Sequence, residues 1–190
     1  MINRKLTSFA VIMAMLFISL FTFGPMDISN ASSPESIFAG TVTGTDSFNN
    51  TQHELGQVFQ SSVAGQITKI RLYASASESG NHTGRIWRNS DNTNLGTYTI
   101  PSTLFTGTAG WVEYTLSTPL NISAGTDYTV SVSTGTDSGY HWGAGGYKPN
   151  AGNNGSYLSW PANSGRFTDT MGTRPTTVPV GGYSYLRDIV

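Results

Sequence analysis

Apolar and polar residues alternate along many short runs of this chain. In Gln66–Ala74, Ile70 and Leu72 alternate with larger polar side chains, and Trp111–Ser117 and Thr126–Ser133 show the same pattern. A period of two is typical of a β-strand with one buried face and one solvated face. Three further runs have strand character: Gly56–Gln60, Gly84–Arg88 and Leu95–Ile100.

Turn-rich segments separate these runs at a spacing of about ten residues, and no helical periodicity follows residue 31. Short strands at this spacing predict an all-β fold, an antiparallel β-sandwich. We expect a jelly-roll-like strand order, with an immunoglobulin-like order as the alternative. The chain closes with a predicted final strand, Tyr183–Val190.

The segment 134–182 departs from this regularity. It is rich in glycine and aromatic residues, and it contains few alternating apolar runs. We expect short strands mixed with long loops, and long loops on a rigid sandwich are where binding sites usually lie.

The first 31 residues resemble a secretory signal peptide. Arg4 and Lys5 precede an apolar run, Phe9–Phe23, and a small-x-small site ends at Ala31. The alternative is a membrane anchor, for which the run is short. We predict that the chain is exported and cleaved after Ala31. Residues 32–45 are then a linker that contains a first short strand near Thr41–Thr45, and residues 46–190 form one sandwich domain. The mature protein is then extracellular and not embedded in a membrane.

Composition narrows the classes of function. The chain has no cysteine, which excludes disulfides and thiol catalysis. Only 11% of the residues are charged and the formal net charge is −1, so bulk charge attracts no nucleic acid. Abundant Ser, Thr, Asn and Gly predict a surface rich in hydroxyl and amide groups, which suits hydrogen bonding to neutral sugars.

The stretch His53–Trp87 carries several distinctive short motifs: ELG, VF, SSVAGQITKIRLY and NHTGRIW. Later in the chain GWVEY, TPLNISAGTDY and YLRDIV follow in order. With these motifs the chain resembles the bacterial extracellular domain family of unknown function numbered 4082, over Asp46–Val190. That family occurs in secreted proteins beside sugar-binding and immunoglobulin-like modules. The resemblance implies an extracellular β-sandwich and, by association, a binding role.

Aromatic residues of the glycine-rich segment are candidate ligand contacts. An indole or phenol plane stacks on the apolar face of a sugar ring while the sugar hydroxyls bond to polar neighbours. We predict a ligand-binding surface whose candidate residues are Tyr140, Trp142, Tyr147, Trp160, Asn153 and Asn154. The alternative is that these rings pack over the open edge of the sandwich. Trp87 and Trp111 are expected to be structural.

Glu54 and Asp188 are candidate ligands of a structural calcium ion. Glu54 opens the first clear strand and Asp188 lies on the last. Jelly-roll sugar-binding modules often join these strands through calcium, which prefers carboxylate and carbonyl oxygens. The prediction requires the two strands to be neighbours. The alternative is that each carboxylate pairs with an arginine or lysine, or caps a turn.

The sequence shows little sign of catalysis. It contains neither His-Glu-x-x-His nor Gly-x-Ser-x-Gly, and its carboxylates are scattered, whereas a glycosidase needs two across a cleft. We predict a secreted, non-catalytic module that binds carbohydrate or another cell-surface polymer. A structural or adhesive module that binds protein partners through sheet edges is the alternative. A glycoside hydrolase is less favoured.

Overall fold

The chain folds almost entirely into β-strands. A computed structural model describes residues 33–39, 42, 44–48, 50–136, 139–143, 151–155 and 157–190, which belong to one unit, Ser33–Val190. The strands are β1 (Thr45–Phe48), β2 (Glu54–Ser61), β3 (Gly65–Ala74), β4 (His82–Arg88), β5 (Thr93–Ile100), β6 (Gly110–Ile122), β7 (Asp127–Ser133), β8 (Gly139–Trp142), β9 (Gly152–Asn154), β10 (Leu158–Trp160), β11 (Gly165–Thr168) and β12 (Arg187–Ile189). The helical content of these residues is one 3-10 turn, Ser102–Leu104. No helix in the described ranges is long and apolar enough to cross a bilayer.

Two antiparallel sheets form the predicted sandwich. The larger sheet has the order β5-β4-β7-β2, and β10 and β11 pair with opposite ends of the free edge of β2, with β9 outside β10. The smaller sheet has the order β12-β3-β6, and β1 pairs with β8 in a separate two-stranded sheet. The first two strands of an immunoglobulin sandwich share one sheet, whereas β2 and β3 lie in different sheets. The interleaved order is therefore jelly-roll-like.

The hydrophobic core lies between the two sheets. Ile70 and Leu72 of β3 are fully buried, as are Val130 and Val132 of β7. The alternation predicted for β3 is confirmed, because Lys69, Arg71 and Tyr73, which alternate with Ile70 and Leu72, remain partly exposed. Strand β2 is buried along most of its length. Pro175 covers it so closely that a Cβ added at Gly56 would lie 2.8 Å from the proline ring.

Residues before β1 belong to the core, although the sequence predicted a linker there. Ile37 and Phe38 are 0% and 1% exposed. The carboxylate of Asp188 accepts hydrogen bonds from the backbone N–H groups of Ile37 at 2.7 Å and Phe38 at 3.2 Å. Two adjacent apolar residues in a polar stretch show no periodicity, so the sequence pattern did not reveal this anchor. The first strand, β1, shares only Thr45 with the strand expected near Thr41–Thr45. Residues 1–32, with the predicted signal peptide, lie outside the described residues.

Two other strands differ from their predicted bounds. Strand β6 continues past Ser117 to Ile122 and includes Pro119. Pro119 is tolerated because it lies where the register between β3 and β6 shifts, between the paired residues Thr115 and Leu120 of this edge strand. The final strand shortens to β12 because Leu186 has a φ of 54°, a left-handed conformation that interrupts an extended strand.

Candidate functional site

An open groove of about 350 Å³ lies beside the small β1–β8 sheet. Successive side chains of a strand point to opposite faces, so Tyr140 and Trp142 of β8 point together into the groove while His141 points away. Ser47 of β1 pairs with Tyr140 and also lines the groove. The complete lining is Ser47, Tyr140, Trp142, Phe167, Pro179, Val180, Tyr183 and Tyr185.

A second aromatic wall comes from Tyr183 and Tyr185. Ser184 between them is buried, and its hydroxyl donates a hydrogen bond to Gln57 Oε1 at 2.9 Å. The Gly143 N–H donates to the Ser184 carbonyl at 2.8 Å, which holds this segment beside β8. With Ser184 turned inward, the two tyrosines on either side of it face the groove.

The four rings form two pairs across the groove floor. The ring centroids of Trp142 and Tyr183 are 4.5 Å apart with an interplanar angle of 66°, and those of Tyr140 and Tyr185 are 5.9 Å apart at 68°. Edge-to-face geometry is favourable because the positive edge of one ring meets the negative face of the other. Phe167 adds a third edge contact to Tyr185 at 6.3 Å. The groove is therefore lined by a connected cluster of edge-to-face aromatic rings.

The groove lining is polar without being charged. Its polar side-chain atoms are the hydroxyls of Ser47 and the three tyrosines and the indole N–H of Trp142. In the described part of the chain, no side-chain hydrogen bond engages the phenol hydroxyls or this indole. Burial raises the pKa of Tyr185 well above its usual range, and the nearby Tyr140 adds to this effect. The Tyr185 hydroxyl therefore remains a hydrogen-bond donor at neutral pH.

Two histidine–aspartate pairs hold the elements that carry the groove. His141 Nδ1 lies 2.5 Å from Asp46 Oδ1 and joins β8 to β1. His53 Nδ1 lies 2.7 Å from Asp169 Oδ1 and joins the start of β2 to the loop after β11. The His53 ring also meets Tyr140 edge-on at 5.6 Å. The carboxylates of Asp46 and Asp169 therefore each contact a histidine side chain of the domain.

A family model matches most of the chain. The family model described as Domain of unknown function (DUF4082) matches residues 39–186. The chain belongs to this family. The match spans most of the two main sheets and all of the groove lining, which confirms the resemblance seen in the sequence. No curated protein matches the chain.

Two of the predicted ligand residues of this DUF4082 domain, Tyr140 and Trp142, lie together in the groove. Tyr147 lies outside the described residues. Sequence reasoning missed Tyr183 and Tyr185, which it assigned only to the closing strand. A signal was present, because Tyr-Ser-Tyr has the same aromatic alternation as the Tyr-His-Trp of β8.

The remaining predicted ligand residues are not part of the groove lining. Trp160 packs against the core and lies over Gly152 of β9, where an added Cβ would be 2.7 Å from the indole. Asn154 donates a hydrogen bond to the Ser36 carbonyl at 2.9 Å, and Asn153 is exposed on β9. The reason is topological, because β9 and β10 join the larger sheet whereas β8 pairs with β1.

Glu54 and Asp188 do not form the shared calcium site that the sequence predicted. Strand β2 belongs to the larger sheet and β12 to the smaller one, so the required pairing is absent. Glu54 Oε2 lies 2.6 Å from an Arg85 nitrogen, and Glu54 Oε1 accepts the Ser131 hydroxyl at 2.6 Å. Asp188 lies 2.7 Å from Arg71 Nε. Burial raises the pKa of both carboxyl groups. No group of three or more potential metal ligands occurs among the described residues.

Trp87 and Trp111, the two tryptophans that were expected to be structural, have partners inside the fold. Trp87 is 5% exposed and its Nε1–H donates to the Ser131 hydroxyl at 2.8 Å. The Arg71 guanidinium lies 4.1 Å from the ring centroid of Trp111, whose ring also contacts Phe38. Both indoles therefore pack within the fold, which confirms the expectation.

Proposed function

We propose that this DUF4082 domain is a secreted, non-catalytic binding module whose aromatic groove binds a carbohydrate or a comparable cell-surface polymer. The observation that carries the proposal is the convergence of four half-buried aromatic rings in one open groove without charged lining residues. Secretion is supported by the basic and apolar leader.

The chemistry of the groove matches that of a sugar. A sugar ring presents an apolar C–H face, and covering it with an indole or phenol plane removes apolar area from water. Its hydroxyls need hydrogen-bond partners when they leave water. The phenol hydroxyls, the Ser47 hydroxyl and the Trp142 N–H stand beside the ring faces and supply such partners.

The lining also supports a role without catalysis. Glycoside hydrolysis uses a carboxylic acid and a carboxylate on either side of the scissile bond. The groove lining contains no carboxyl group. Asp46 and Asp169, the acidic residues on the neighbouring elements, are bound to histidines.

A glycan screen tests the proposal. The mature chain from Ser32 is applied to a panel of glycans and polysaccharides, with calcium and with chelator. We expect binding that Trp142→Ala weakens at least tenfold, because burial of a large aromatic side chain contributes about 1.5–3 kcal/mol and 1.4 kcal/mol is a factor of ten. Chelation should leave binding unchanged.

Tyr157→Ala is the matched control, because Tyr157 is a 38% exposed aromatic residue outside the groove lining. Its removal should leave binding unchanged. Equal binding by the Trp142→Ala protein would place the ligand elsewhere. Failure of the folded protein to bind any glycan would refute carbohydrate binding and favour a protein partner.

A further inference from the structure

We propose that the groove contains two adjacent ring-binding subsites, Trp142 with Tyr183 and Tyr140 with Tyr185, and that its ligand is an uncharged glycan chain of at least two sugar rings. This inference rests on the proposed carbohydrate binding and specifies the length and charge of the ligand.

The strand geometry separates the two subsites. Tyr140 and Trp142 are two residues apart on one strand, which places their Cα atoms about 6.7 Å apart. Tyr183 and Tyr185 have the same spacing and run in the opposite direction, since Trp142 meets Tyr183 and Tyr140 meets Tyr185. Van der Waals contact requires about 3.5–4 Å. The offset between the two pairs exceeds this contact distance, so successive rings of a chain can each stack on a different pair.

Each subsite has its own hydrogen-bonding groups. The first combines the Trp142 indole N–H with the Tyr183 hydroxyl. The second combines the hydroxyls of Tyr140 and Tyr185, with Ser47 opposite Tyr140 on the neighbouring strand. Both subsites therefore offer a ring face together with at least two polar atoms, which is the combination that a hydroxylated ring requires.

The absence of charge in the lining selects a neutral ligand. A carboxylate or sulfate moved into the groove would lose hydration, and no lining residue carries a cation to compensate it. The lining likewise contains no carboxylate that would attract a cationic ligand, and Asp46 and Asp169 on the neighbouring elements each contact a histidine. Neutral hexose or N-acetylhexosamine chains fit these conditions.

A polyproline II peptide is the other extended ligand that aromatic grooves bind. Its side chains repeat every three residues, which corresponds to about 9.3 Å along its axis. The aromatic pairs recur about every 6.7 Å. This mismatch favours a glycan chain over a proline-rich peptide.

Calorimetric titration of the mature protein tests the inference. The probes are neutral gluco-, manno-, galacto- and N-acetylgluco-oligosaccharides of one to six units, an oligogalacturonide of matching length and a proline-rich decapeptide. We expect affinity for one neutral series to rise at least tenfold between one unit and two and then to level off at three units and beyond. The oligogalacturonide and the peptide should bind at least tenfold more weakly than the neutral trimer.

Variants assign the two subsites. Trp142→Ala or Tyr140→Ala should each reduce trimer affinity to about that of the monomer, because one subsite remains. Trp142→Phe and Tyr140→Phe keep an aromatic ring. Each should therefore lose less than half of the binding free energy that the corresponding alanine variant loses. Tyr157→Ala should bind like the unmodified protein, and thermal unfolding verifies that each variant is folded.

The outcomes separate this inference from the proposed function. A neutral series that binds equally well as monomer and trimer would overturn the two-subsite arrangement while leaving carbohydrate binding in place. Tighter binding of the oligogalacturonide would overturn the neutral specificity. Binding of the peptide alone, or of none of the probes, would overturn both proposals.

Discussion

Replacing Asp188 by alanine tests how the residues before β1 are held. Asp188 is fully buried and accepts hydrogen bonds from the N–H groups of Ile37 and Phe38 and from Arg71 Nε, at 2.7, 3.2 and 2.7 Å. Alanine removes the carboxylate that accepts from three buried backbone N–H groups, those of Ile37, Phe38 and Ile189, and it removes a buried ion-pair partner of Arg71. The anchor of this segment is thereby lost without any change in the core side chains.

The expected cost follows from these contacts. Each unsatisfied buried donor costs about 1–3 kcal/mol, and breaking a buried ion pair from one side costs about 3–5 kcal/mol. These terms overlap, so we expect Asp188→Ala to lower the free energy of unfolding by about 3–5 kcal/mol. Asp188→Asn keeps an acceptor oxygen. It also removes the charge that pairs with Arg71 and replaces the other acceptor oxygen by an N–H donor, so we expect asparagine to cost less than alanine but still about 2–3 kcal/mol.

Urea unfolding followed by tryptophan fluorescence measures the effect. With a slope of about 2 kcal/mol per molar urea, the midpoint of Asp188→Ala should fall by about 1.5–2.5 M. Glu113→Ala is the control, because Glu113 also pairs with Arg71 but its side chain is 38% exposed, and exposed pairs contribute at most about 1 kcal/mol. Equal costs for the Asp188→Ala and Glu113→Ala variants would refute the buried anchor. Equal costs for alanine and asparagine would show that the charge, rather than the acceptor, is what matters.

Three further predictions use the same unfolding assay. Burial raises the pKa of Glu54 in the fold, so its contribution to stability is complete below the ordinary carboxyl pKa and is lost as the pH rises through the folded value. Glu54→Gln should remove this fall in stability above the ordinary carboxyl pKa, and an unchanged pH profile would contradict the prediction. Phe38→Ala should cost about 3–5 kcal/mol because it opens a core cavity, whereas Phe48→Ala, at a 57% exposed position, should change stability by no more than about 0.5 kcal/mol. Gly182→Ala should lower the free energy of unfolding by more than about 1 kcal/mol, because the φ of Gly182 is 68° and an added Cβ would overlap the Asn163 side chain. Gly65→Ala is the control and should lower it less, because an added Cβ there meets open space.

Local alternation made much of the sandwich predictable. Ile70 and Leu72 were expected on the buried face of β3, and both are fully buried. A strand's period of two is visible in the sequence because each side chain depends only on its own position in the pleat. The aromatic and glycine-rich composition of segment 134–182, rather than alternation, drew attention to Tyr140 and Trp142, which lie in the groove.

Local patterns did not separate groove residues from packed ones. Trp160 and Trp142 both lie on short strands in the same glycine-rich segment, yet Trp160 packs on the core while Trp142 lines the groove. The difference depends on the pairing partner of each strand. Strand β10 joins β2 in the larger sheet, and β8 joins β1.

The sequence by itself determined the all-β class, the position of most strands and the aromatic, uncharged chemistry available for binding. Tertiary structure alone decided that Tyr183 and Tyr185 complete the groove and that Glu54 and Asp188 pair with arginines instead of sharing an ion. Asp188 meets the Ile37 N–H across 151 residues of sequence. The physical reason is that side-chain alternation is a property of each strand, whereas the neighbours of a strand are set by packing the whole chain around one core.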